Sequence, residues 1–244
     1  IIAVELRKMF DTRSGFWLIA SLGITTVLAT AGVITFGHDA DRTYSSFATA
    51  IRLPVAVLLP IITILAVTSE WSQRSGLTTF TQVPQRGRVV LAKFIASVAV
   101  GVASMALTFA AGALGNIVSG TITGNTLIWN VTFTQALYFV LGNILSLLIG
   151  FMLGVLIRSS TGAVVAYFIY TFLVPVLFGL LADAQSWFHD AQPWIDIQFA
   201  QSPLFLFAGV MTPEQWAHIG VTGVLWLVLP LLIGLRLVVR AEVK

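Results

Sequence analysis

The sequence predicts an all-α membrane protein with six transmembrane helices. Three observations predict it. Only 9% of the 244 residues are charged while 57% are hydrophobic, and the mean hydropathy is +0.95. Soluble domains carry about 25% charged residues, so lipid must be the main solvent of this chain. Several apolar runs reach the length of about 20 residues that a span needs. The cations then sort to one side of a six-span arrangement.

The elements follow in order. Residues 1–14 place Ile2, Leu6, Met9, Phe10 and Arg13 at helical spacing, with Glu5, Arg7, Lys8 and Asp11 mostly on other faces. This reads as an amphipathic helix on the membrane surface, or as a basic flank that only sets topology. The segment has no apolar signal core, so no signal peptide is expected. Spans are predicted at about 16–36, 50–69, 90–117, 134–157, 162–181 and 216–238. Phe94–Ile157 holds no Asp, Glu, Lys or Arg, room for two spans around a polar turn, Ser119–Asn130. In the fourth span, Gly142, Ser146, Gly150 and Gly154 recur every four residues. Such a stripe admits close helix approach, as internal packing or as a dimer seam. Residues 182–215 are too polar to span. Trp187, Phe188, Trp194, Phe199, Phe205 and Phe207, with Pro193, Pro203 and Pro213, predict short helices that dip into the outer leaflet and return.

Arg7, Lys8, Arg13, Arg74, Arg86, Arg88, Lys93, Arg158, Arg236, Arg240 and Lys244 fall on one side of this arrangement; only Arg42 and Arg52 fall on the other. Lys and Arg favour the cytoplasmic side, so both termini are predicted there. The stretch from Ser159 to Leu235 has no Lys or Arg but holds Asp183, Asp190, Asp196 and Glu214, which places its connecting loop outside.

Catalytic signatures are missing. The chain has no Walker A loop, zincin motif, nucleophile elbow or Rossmann fingerprint, and no cysteine for a thiolate site. Asn130-Val-Thr132 matches a glycosylation sequon by chance. His38, His189 and His218 are scattered. Asp183, His189, Asp190 and Asp196 match no ligand spacing, so no metal is expected. No carboxylate falls in the centre of a predicted span, which argues against an ion relay. Arg52 and Arg158 sit at span ends and read as snorkelling rather than as ion transport, with Arg52 alternatively facing a cavity.

Residues 70–88 are the exception in an apolar chain. Glu70 and Arg74 stand one helical turn apart. Leu77, Phe80 and Val83 are spaced by three, an apolar ridge that Pro84 ends. Arg86, Arg88 and Lys93 follow. The ridge is a candidate docking surface, or a helix lying against lipid.

The pattern Glu70…Gly76-Leu-Thr…Pro84-x-Arg86…Lys93 resembles the signature after the second span of ABC-2-type permeases, the membrane subunits of type V ABC exporters. Its wording is closest to small actinobacterial members. Leu77 stands where the family usually has Thr. The resemblance extends to the layout of the whole chain. It implies a coupling helix carrying Glu70, Arg74, Gly76, Leu77, Phe80, Pro84, Arg86 and Lys93, and a connecting helix carrying Leu6, Arg7, Lys8 and Phe10. Both would touch two copies of a separate ATP-binding cassette subunit. That subunit would hold ATP and Mg, with no cofactor on this chain. A second permease copy or paralogue would pair with this one in a bacterial inner membrane, and no nucleic acid is implied. The expected function is ATP-driven export of an amphiphile such as a drug, lipid, peptide antibiotic or glycoconjugate. The rivals are an ion-coupled secondary transporter, a lipid-modifying membrane enzyme, and a non-transporting partner of an ATPase.

Overall fold

The computed structural model describes residues 4–7, 13–38, 42–72, 86–124, 126–207 and 209–240, with only the helical backbone given at 13, 14, 70–72, 86, 239 and 240. The described residues are helical apart from short connections, with no strand among them. A helical turn at 4–7 precedes α1 (Arg13–Phe36), α2 (Tyr44–Ser72), α3 (Arg86–Thr123) and α4 (Phe133–Ile157). The fifth long helix is α5 (Ser160–Phe168), a π-turn (Ile169–Leu173) and α6 (Val174–Ala184). Two short helices follow, α7 (Ser186–Ile195) and α8 (Ile197–Gln201), then a 3-10 turn (Ser202–Phe205). The sixth is α9 (Pro213–Gly223), a π-turn (Val224–Val228) and α10 (Leu229–Arg240).

Six helices are long and apolar enough to cross a membrane: Gly15–Phe36, Tyr44–Ser69, Gly87–Thr123, Phe133–Ile157, Ser160–Ala184 and Pro213–Val238. Two of them run well past the expected limits. The second starts at Tyr44 rather than about 50. The third continues to Thr123 through a segment expected to turn. Thr121 and Thr123 hydroxyls donate to the carbonyls of Val118 and Ser119, so these polar side chains add no unmet group to the helix. The helix stops where Gly124 takes φ +72°, a left-handed conformation that glycine adopts without strain.

The helices run alternately up and down. One end of the bundle gathers the 4–7 turn, the end of α2, the starts of α3 and α5, and the ends of α4 and α10. There Val67, Phe151, Val155 and Val238 share one core cluster, and the Thr68 and Ser160 hydroxyls bond at 2.7 Å. At the opposite end, Tyr44 N–H donates to the Ile128 carbonyl, and Asn130 pairs with Ser45.

The core forms where α2 meets α4. A Cβ on Gly150 would stand 2.6 Å from the Pro60 carbonyl oxygen and 2.8 Å from its Cα. No larger residue permits that approach. One turn further, Gly154 lies against Val67, and Gly142 lies beneath the Phe205 ring. Ser146 Oγ, on the same stripe, donates to the Gly142 carbonyl. The stripe therefore faces its own chain. Outward faces stay apolar, as at Phe172, Leu177, Leu180, Leu225 and Ile233, which is the pattern of a lipid-solvated surface.

Prolines inside these helices remove donors, and side chains replace them. Pro60 has no N–H for the Ala56 carbonyl; Tyr167 Oη donates to that oxygen at 2.6 Å. Each π-turn ends two residues before a proline, Pro175 or Pro230. The carbonyl of Tyr170, inside the first π-turn, accepts from Gln198 Nε2 at 2.7 Å. Such turns mark places where the α-helical ladder is interrupted.

Tyr167→Phe should destabilise the protein by about 1–3 kcal/mol, the cost of a buried carbonyl left bare. In a Pro60→Ala background, which restores the backbone donor, the same change should cost about 1 kcal/mol less. Thermal unfolding of the four proteins in detergent measures this; additive effects would remove the proline explanation.

Candidate functional site

The strongest contact joins parts of the chain 88 residues apart. Lys93 Nζ donates to Glu5 Oε2 at 2.7 Å and to the Ala66 carbonyl at 2.9 Å. The two side chains are 4% and 6% exposed. Lys93 lies two turns into α3, and Ala66 near the end of α2. One ammonium thus ties the N-terminal turn to both helices that flank residues 73–85. The helical pattern had set Glu5 on a face away from the apolar one. The structure corrects this: Glu5 is buried because a cation waits for it inside the bundle. Buried ion pairs add little net stability, since desolvation offsets attraction, but breaking one leaves a stranded charge.

Leu6 of the same turn is packed against the main core cluster. It also lines a cavity of about 620 Å³ between α1, α2 and α3. Leu22, Thr26, Val55, Ala103 and Leu107 form other walls. Its polar residues offer little. Ser104 and Thr108 hydroxyls donate to carbonyls of their own helix, Val100 and Ser104. The volume matches that of ligand pockets, and its walls suit an alkyl or aromatic body.

Other expected site residues divide into two groups. Arg74, Gly76, Leu77, Phe80 and Pro84 lie outside the described residues, as do Lys8 and Phe10. Glu70 lies in the last turn of α2 and Arg86 opens α3, with their side chains outside the description. Arg7 is exposed beside the buried Glu5. Of the residues expected on a coupling helix, only Lys93 has a described side chain.

The segment between the fifth and sixth helices goes deeper than its composition suggests. Trp226 Nε1 donates to the Ile195 carbonyl at 2.7 Å. Tyr170, the partner of Gln198, is ten residues into the fifth helix, about 15 Å along it. Trp226 is thirteen residues into the sixth, about 20 Å. The α7–α8 junction is thus held at the middle of both helices. At that junction Asp196 is 4% exposed. It caps α8, accepting from Gln198 N at 2.9 Å and Phe199 N at 3.2 Å, and from Gln192 Nε2 at 3.3 Å. A search confined to the spans misses this carboxylate, because a neighbouring segment carries it inward. By contrast His189 and Asp190 are exposed, and among the described residues no three His, Asp or Glu converge.

Arg52 has an aromatic partner that its position at a span end did not announce. It is half-buried. Its guanidinium lies 3.5 Å from the centre of the Phe205 ring, and its Nε is buried without a hydrogen-bond partner. Gln201 Nε2, four residues before Phe205, is likewise buried and unpartnered; so is Asn143 Oδ1, next to Gly142. Gln201 is 5% exposed and Asn143 2%. An arginine in a membrane helix costs about 2.5–3.5 kcal/mol at mid-span, and an aromatic face returns about 0.5–2 kcal/mol. The ring alone does not balance the charge.

No family model matches the chain, and no curated protein matches it.

Removing one partner of the Lys93 pair should cost about 3–5 kcal/mol. Glu5→Gln and Lys93→Met should each free residues 4–7 to hydrogen exchange, and the double variant should recover part of the stability. Full protection of these amides in both single variants would show that the pair holds nothing.

Proposed function

We propose that this chain is the permease subunit of an ATP-driven exporter of an amphiphile. The observation that carries the reading is the shared use of the 4–7 turn. Glu5 fixes it to the helices on either side of residues 70–88, and Leu6 places it at the wall of the apolar cavity. A push on the 70–88 segment would load the end of α2 and the start of α3. The Lys93 pair would pass that load to Leu6, and the cavity would change shape. No group able to hydrolyse ATP is needed in this chain, because the work arrives from outside.

The resemblance of Glu70…Lys93 to the ABC-2 signature supplies the partner: two ATP-binding cassette subunits carrying ATP and Mg, with a second permease copy or paralogue. In this reading Leu77 and Phe80 seat in an apolar cleft of the ATPase, and Arg74, Gly76, Pro84 and Arg86 shape the segment around them. Orientation follows from charge. Arg7, Arg88, Lys93, Arg158, Arg236 and Arg240 share one end of the bundle, while Asp183, Asp190 and Glu214 share the other. The basic end would face the cytoplasm of a bacterial inner membrane, with both termini. The α7–α8 segment then enters from the outer leaflet.

Leu77→Asp or Phe80→Asp should lower co-purification of a co-expressed ATP-binding cassette subunit by about tenfold, equivalent to about 1.4 kcal/mol, with unchanged permease yield. Capture of that subunit by both variants at the wild-type level would defeat the docking assignment.

Asp196 favours a second reading, an ion-coupled transporter, because a carboxylate at mid-helix depth is what such a machine requires. Its oxygens are already taken by three N–H donors, which supports a capping role instead. Asp196→Asn keeps the cap and removes titration. ATP-driven transport by this variant should persist in reconstituted vesicles. Transport that follows a proton gradient and vanishes in the variant would select the ion-coupled reading.

A further inference from the structure

The geometry points to an anion site at Arg52, built to receive the phosphate head of an amphiphile between α2, α4 and the 3-10 turn at Ser202–Phe205. It does not depend on an ATPase partner, and its test involves none.

Position comes first. Arg52 is eight residues into α2, about 12 Å from its start, within a helix long and apolar enough to cross a membrane. A guanidinium there normally finds a carboxylate or turns to water. This one has no carboxylate partner among the described residues: it is half-buried, its Nε is enclosed without a partner, and its terminal nitrogens stay accessible from the surface. Its one recorded contact is the Phe205 ring at 3.5 Å. The ring covers one face of the planar group and leaves its edge, where the N–H donors point, for another partner.

The surroundings supply a second donor and no acid. Gln201 Nε2 is buried and unpartnered, and it stands one helical turn before Phe205. Phe205 in turn rests on Gly142, where any Cβ would collide with the ring. The glycine is what lets the ring, and the arginine above it, sit this close to α4. The nearest acidic residue of the segment, Asp196, is committed to capping α8, so it is no counter-ion for Arg52. Asn143 Oδ1, the residue after Gly142, is a buried acceptor with no donor. Arg52 against the ring, a bare donor four residues before Phe205 and a bare acceptor one residue after Gly142 would together suit a head bearing both an anion and a hydroxyl.

Chemistry narrows the ligand further. Arg forks bind phosphate oxygens in pairs and more strongly than neutral donors do. The surfaces on either side are apolar, so the rest of the ligand is a chain or ring system lying along the helices. A phosphate could come from a lipid head or from a free anion. The shared chemistry is a phosphate on Arg52 and Gln201.

The test uses the full chain in nanodiscs of equimolar phosphatidylcholine and phosphatidylglycerol, followed by detergent release and native mass spectrometry of the retained lipid. Wild type should keep phosphatidylglycerol over phosphatidylcholine, Arg52→Lys should keep much of that preference, and Arg52→Gln should lose it by about tenfold. Gln201→Leu preserves shape and removes the second donor, so it should weaken retention with Arg52 in place, even if Arg52→Gln fails to fold. Excess inorganic phosphate that displaces the lipid assigns the site to a free anion; lipid that stays assigns it to the headgroup. Equal retention by wild type and both neutral variants, or no preference in wild type together with no thermal protection by inorganic phosphate, would overturn the proposal.

Discussion

The bundle depends on one constraint, the contact of Pro60 with Gly150. Close approach of α2 and α4 at this point sets the position of everything placed along them. Gly154 can then reach Val67, and Gly142 can hold Phe205. The contact also explains a neighbour. Pro60 fits against a glycine because its ring is compact, but it strips Ala56 of a donor, and Tyr167 of the fifth helix fills the gap. In lipid, where no water can supply a lost hydrogen bond, a packing choice in one pair of helices thus recruits a third.

The same economy links the two ends of the molecule to different tasks. At the end bearing the 4–7 turn, polar contacts join separate helices: Lys93 to Glu5 and Ala66, Thr68 to Ser160. They join α2, α3 and the N-terminal turn to one another, and α2 to the fifth helix. Toward the other end, Arg52 Nε, Gln201 Nε2 and Asn143 Oδ1 are buried without partners, and the cavity between α1, α2 and α3 has largely apolar walls. A force received at the first end would reach the cavity through Leu6 without passing through the fifth and sixth helices.

Much of the fold was legible in the sequence, for a simple reason. Lipid demands long apolar runs, and a chain so poor in charge has few ways to place them. The limits of the runs were less legible. Thr121 and Thr123 look like turn formers, yet their hydroxyls bond to their own helix. The site was legible only in part. Lys93 stood out by position, but Glu5 did not, because a helical wheel knows nothing of a cation 88 residues away. Asp196 was passed over since depth is a property of the fold and not of local composition. Pro60, Pro175 and Pro230 were the available clue. A proline in an apolar run announces a bare carbonyl, and Tyr167 and Gln198 are the kind of side chain that answers one.

The α7–α8 segment has a consequence for how the chain is built. Two of its polar groups, the Gln198 amide and the Ile195 carbonyl, are met by the Tyr170 carbonyl before it in the sequence and by the Trp226 indole after it. Alone in lipid, its bent backbone would have no partners. Synthesis therefore delivers this segment before half of its socket exists. The order in which the ribosome makes the chain is not the order in which the protein is completed: residues 186–205 are made after the fifth long helix and meet their last partner only once the sixth has followed.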